Sequence, residues 1–218
     1  PSLVAAYTAS WTSSFLGLEK FSHQLTTSID LSAVNIGKLI LLGLAFGLIG
    51  NLFALLLRIS KTFLAEKIKN PYWRIFSMGI ILSALLLLLG MGRYAGLGTN
   101  LITLSLTGQP VHSYDWLLKL ILTVFTIAAG FQGGEVTPLF SIGASSGAVL
   151  AILLGFPVEL AAALGYTAVF GVATNTFLAP MFIAGEVFGF SQLPLFAIVT
   201  MIAYSLHKGE TIYTAQKR

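Results

Sequence analysis

The chain has 218 residues, 56% of them hydrophobic and only 9% charged, with a mean hydropathy of +0.88 and a formal net charge of +4. Soluble domains carry about 25% charged residues, so a water-soluble globule of this make-up would expose large apolar patches and aggregate, and disorder is excluded for the same reason. No cysteine is present, which removes disulfide scaffolds, thiolate metal sites and cysteine nucleophiles, and scattered basic residues give no face for nucleic acid. What remains is an integral membrane protein.

In chain order, apolar segments run near 1–17, 36–57, 73–92, 117–134, 136–156, 160–184 and 187–206. The chain opens on Pro1, without an initiator Met or the ordered regions of a signal peptide, and so reads as a piece of something longer. A full α-helical span needs about 20 apolar residues. Leu39–Leu57 and Ile75–Gly92 come close to that, and the run of leucines at Leu85–Leu89 is typical of lipid-facing helix. Gly96-Leu97-Gly98-Thr99-Asn100 reads as a turn after the second of these. The later segments are interrupted at Gly130, Gly133, Gly134, Pro138, Gly155, Pro157, Pro180, Gly185 and Gly189. Backbone broken at membrane depth is tolerated only where protein or a water-filled cavity satisfies it, and such helices point to an ion or substrate site. Barrel strands of about ten alternating residues are not seen, so an all-α, polytopic membrane protein is expected.

Charge gives an orientation. Arg58, Lys61, Lys67, Lys69 and Arg74, against the single acid Glu66, lie between the two clearest spans and predict a cytoplasmic loop. The tail residues Lys208, Lys217 and Arg218 read the same way. Thr99–Asp115 holds no Lys or Arg and is expected on the other side.

Two of the eight acids stand within apolar sequence, Glu135 and Glu186. An ionisable group at membrane depth is costly and points to function. Glu135 sits in Gly133-Gly134-Glu135-Val136-Thr137-Pro138, ahead of a helix-like run. Glycines allow close backbone approach, and Pro138 suits a first helical turn. The free N–H groups of Glu135, Val136 and Thr137 would form an anion site at a helix N-terminus; the plainer alternative is a helix start capped by Glu or Thr. Glu186 lacks such a frame and reads as a structural acid satisfied by its neighbours. Tyr213, just past the last apolar run, is either an interfacial tyrosine or a hydroxyl donor to an anion. Gly143-Ala144-Ser145-Ser146, with His207 as its base, is reminiscent of intramembrane serine proteases. Nucleophilic catalysis needs the two side chains within hydrogen-bond reach, however, and small residues here equally serve close helix packing.

These residues together resemble the second half of the CLC family of chloride channels and anion/proton antiporters. Gly134-Glu135-Val136-Thr137-Pro138 resembles that family's G-x-F-x-P motif, with Val136 in place of the phenylalanine. Gly98-Thr99-Asn100-Leu101-Ile102 resembles its G-x-N-L-I string, Ala179-Pro180 followed by Glu186 its A-P…E segment, and Tyr213 its central tyrosine. The GGEVTP variant is similar to that of the bacterial fluoride/proton antiporter branch. The resemblance implies broken, tilted helices forming one half of an inverted repeat over 1–218, since the first-half signatures do not occur. It implies fluoride/proton antiport by a full-length parent, with chloride channel or chloride/proton exchange as the alternative. Gly134, Glu135, Val136, Thr137 and Tyr213 would face the anion, and Glu135 would take part in gating or proton coupling. The implied setting is a homodimer in the lipid bilayer of the bacterial inner membrane, exchanging fluoride or chloride and protons. Enzymatic activity, cofactors, metal and nucleic acid are not expected.

Overall fold

The computed structural model describes residues 2–18, 21–207, 209 and 211–213, and all regular structure among them is helical. The helices are α1 (Ser2–Phe15), α2 (Ala33–Lys67), α3 (Pro71–Leu88), α4 (Thr99–Leu106), α5 (Asp115–Ala129), α6 (Val136–Leu154), α7 (Val158–Ala173), α8 (Leu178–Phe188) and α9 (Leu193–Ser205). Three of them, α2, α3 and α6, are long and apolar enough to cross a membrane.

Helix α2 begins at Ser32, whose hydroxyl accepts from the Asn35 amide. Its 35 residues reach about 52 Å at 1.5 Å each, well beyond a hydrocarbon core of about 30 Å. The basic segment expected as a loop is therefore mostly the last turns of this helix. Arg58, Lys61 and Lys67 extend the rod, and only residues 68–70 connect it to α3. Propensity explains the difference, because Lys, Arg, Glu and Leu are good helix formers and nothing between Arg58 and Lys67 breaks the turn. Asn70 then caps α3, accepting from the Tyr72 amide, with Pro71 at the first helical position. The leucine run of α3 is largely exposed, as lipid-facing helix should be. Of the tail cations used for orientation, Lys208, Lys217 and Arg218 lie outside the described residues.

The core surrounds α7. Every residue from Leu160 to Ala173 is buried, which a helix apolar on all sides achieves only when enclosed by others. Helix α6 packs on it across a seam of small residues. A Cβ added at Gly143 would strike the Gly165 carbonyl oxygen, and one at Gly147 the Ala161 carbonyl oxygen. On a further side Phe46 of α2 lays its fully buried ring against Gly165.

The predicted interruptions fall partly as expected. Gly130 and Gly155, both left-handed, end α5 and α6, and Gly189 ends α8. Pro138 and Pro180, in contrast, break nothing. Each sits in a first helical turn, where a missing N–H costs no bond. The predicted segment 160–184 instead splits at Thr174–Phe177, where Asn175 takes a positive φ of 53° and its side-chain oxygen accepts from the Tyr204 hydroxyl. The turn expected over 96–100 ends sooner, because Thr99 and Asn100 already belong to a helix of two turns, Thr99–Leu106.

Candidate functional site

Helix α6 starts at Val136, and Glu135 occupies the position before it with right-handed helical dihedrals. The Glu135 carboxylate makes no capping bond to the first turn. Its carbonyl accepts from the Leu139 amide, so the helix is wound up to this point. The amides of Glu135, Val136 and Thr137 therefore have no partner within α6, and Pro138 has no N–H to offer. Gly133 and Gly134 are exposed, whereas Glu135, Val136 and Thr137 are half-buried. A positive helix end with uncapped donors, reached through side-chain-free backbone, is well suited to a small anion.

Thr137 is one wall of a cavity of about 400 Å³, together with Thr99 and Thr103 of α4, Phe140 and Tyr166. The two aromatic rings stack with centroids 4.0 Å apart. Thr103 donates to the Thr99 carbonyl, which places both threonines on one face of α4. Helix α4 approaches this closely because Gly98, at φ +80°, carries no Cβ: one added there would lie 2.6 Å from Ser141 Oγ of α6 and 2.8 Å from Lys119 Cε. The turn leading to Gly98 is held from α5. Buried Asp115 accepts from Arg93 Nη2 at 2.5 Å, Tyr94 Oη at 2.6 Å and the His112 amide at 2.9 Å. One turn later, Lys119 Nζ donates to the carbonyls of Tyr94 and Gly96, at 2.9 and 2.7 Å.

Tyr213 reaches the same region from the far end of the chain. The amide of its neighbour Ile212 donates to the Ala173 carbonyl at the end of α7, and the Ile212 side chain is buried. This anchors the segment so that Tyr213 stands within electrostatic reach of the Glu135 carboxylate. The residues Gly134, Glu135, Val136, Thr137 and Tyr213 thus lie in one neighbourhood. Glu186 does not join them; it is exposed on α8 beside Gln24 and Phe190. The hydroxyls of Ser145 and Ser146 are buried and donate to carbonyls of their own helix, at Ser141 and Gly143, which is a packing arrangement rather than that of a nucleophile. Sequence reasoning missed Thr99, Thr103 and Tyr166, ordinary residues that only folding gathers. It also passed over Lys119, whose charge inside an apolar run was a readable signal.

The model of the voltage gated chloride channel family matches residues 1–208. The chain belongs to the CLC family. It is accordingly an integral membrane protein, with the all-helical fold of that family. A "chloride/fluoride channel protein" of Pseudomonas syringae pv. tomato is 34% identical over 223 aligned residues, covering 100% of this chain and 49% of the relative. An uncharacterized protein of Methanocaldococcus jannaschii is 34% identical over 95 residues, 44% of this chain and 24% of that protein. Among solved structures, the crystal structure of a CLC-type fluoride/proton antiporter is 56% identical with a TM-score of 0.96, covering 100% of this chain and 55% of that one. The chain thus spans about half the length of the Pseudomonas syringae relative and of the antiporter structure.

Proposed function

We propose that residues 1–218 form the C-terminal half of a CLC-type transmembrane domain, and that the full-length parent exchanges fluoride for protons to export fluoride across a bacterial inner membrane. The observation that carries this reading is the 56% identity, at a TM-score of 0.96, to the crystal structure of a CLC-type fluoride/proton antiporter. The chemistry of the α6 start supports it. Fluoride is small, strongly hydrated and a strong acceptor, so its site must offer several close donors. The amides at Glu135–Val136, the Thr137 hydroxyl and the Tyr213 hydroxyl are such donors, with Gly134 leaving the approach open. Glu135 beside them, uncapped at the positive end of α6, takes the role of gate or proton carrier. The parent works as a homodimer, and its task is transport rather than chemical conversion.

The name of the Pseudomonas syringae relative, a chloride/fluoride channel protein, favours a second reading, uncoupled anion conduction through the same site. Reconstituting the full-length parent and recording fluoride efflux with proton influx separates the two. Antiport predicts proton movement driven uphill by a fluoride gradient; fluoride flux with no proton movement would contradict it.

A further inference from the structure

Helix α5 is apolar apart from one stripe. Asp115, Lys119, Thr123 and Thr126 are four, four and three residues apart, and at 3.6 residues per turn they fall within about 80° of arc. Asp115 is consumed by Arg93, Tyr94 and the His112 amide. The other three line a cavity of about 270 Å³ together with Gln132, Gly133 and Gly134. Lys119 is the only charged side chain among its lining residues, and no carboxylate is among them.

Two details mark the cavity as more than packing. Lys119 is 2% exposed, and its ammonium has three N–H groups, of which two are given to the Tyr94 and Gly96 carbonyls. Thr126 returns its hydroxyl to the Leu122 carbonyl, as threonines in helices commonly do. Thr123, 8% exposed, donates to no protein acceptor among the described residues, and it opens onto the cavity. A buried positive charge with a donor to spare, an unspent hydroxyl on the same helix face and two glycines in the same lining describe a pocket for a small inorganic anion. Gly134 belongs both to this pocket and to the motif that starts α6.

We infer that Lys119 and Thr123 form a second anion station, from which an anion passes over the Gly133-Gly134 backbone to the start of α6. The inference rests on the anion-transport reading above and adds a site to it. A stapling role for Lys119 alone would hold the 94–98 turn but leave Thr123 without consequence.

The test is saturation of flux through the full-length parent in proteoliposomes, with sodium fluoride as the probe and sodium chloride in parallel. Loss of a binding group outside the rate-limiting step raises the half-saturating concentration more than it lowers the maximal rate. Lys119→Met is expected to raise half-saturation about tenfold. Lys119→Arg should recover most of that loss, because it restores the charge. Thr123→Val, which leaves the turn untouched, should raise half-saturation about threefold; if Lys119→Met fails to assemble, this variant decides alone. Half-saturation unchanged in Thr123→Val, or in Lys119→Met that assembles normally, would overturn the inference. A parent that carries chloride and not fluoride, with the same variant pattern, would refute the fluoride reading and keep the second station.

Discussion

Gly143 of α6 and Gly165 of α7 face each other so closely that a Cβ on either would fall on the other's carbonyl oxygen. Without water to drive association, helices in a bilayer gain from close backbone packing and from small residues that permit it. This contact sets how deeply α6 sits in the bundle, and hence where its N-terminus and Glu135 stand.

Gly147 extends the same seam, packing one turn further along against Ala161. Gly147→Leu should destabilise the full-length parent by at least about 1–3 kcal/mol, the cost of overpacking a tight contact. Thermal unfolding in detergent should shift downward, with early-eluting aggregate on size exclusion. An unchanged midpoint and elution profile would show that this face does not govern assembly.

Asp115 offers a second handle. It is fully buried and holds Arg93, Tyr94 and the His112 amide at once. Removing one partner of a buried pair leaves an uncompensated charge and costs about 3–5 kcal/mol. Asp115→Ala should therefore lower the stability of the parent in chemical denaturation more than Gly147→Leu does. Because Arg93 is stranded by the change, the double variant Arg93→Met with Asp115→Ala should regain part of the loss.

The general plan was legible in the sequence because the signals were local. Low charge and long apolar runs gave a helical membrane protein, and the Gly-Gly-Glu-Val-Thr-Pro string located the start of α6. Helix boundaries were less legible. Pro138 and Pro180 look like breakers in sequence but occupy first turns, where their chemistry is harmless. The basic end of α2 looks like a loop because charge leaves the hydrocarbon before the helix ends. The cavity beside Thr137 was illegible, because Thr99, Thr103 and Tyr166 come together only through the Gly98–Ser141 approach and the Asp115–Lys119 grip on the 93–98 turn. No periodicity encodes contacts of that range.

The chain spans about half of the antiporter structure it matches, and its candidate site is open on one side, with Gly133 and Gly134 exposed. Residues 1–218 alone, reconstituted in liposomes, should show no fluoride or chloride flux above empty vesicles. Saturable flux from this piece would mean that the α6 start needs no further protein to form a path.

Glu135 carries the central claim. It stands at the positive end of α6 and makes no capping bond. Glu135→Gln keeps the shape and part of the hydrogen bonding while removing the titratable proton. The decisive measurement is paired recording of fluoride efflux and proton influx in proteoliposomes of the full-length parent carrying this change. The account predicts a folded protein in which fluoride-driven proton movement is abolished, or its ratio to fluoride strongly altered. Both rates and their ratio at the wild-type value would contradict it and leave Glu135 with a structural role only.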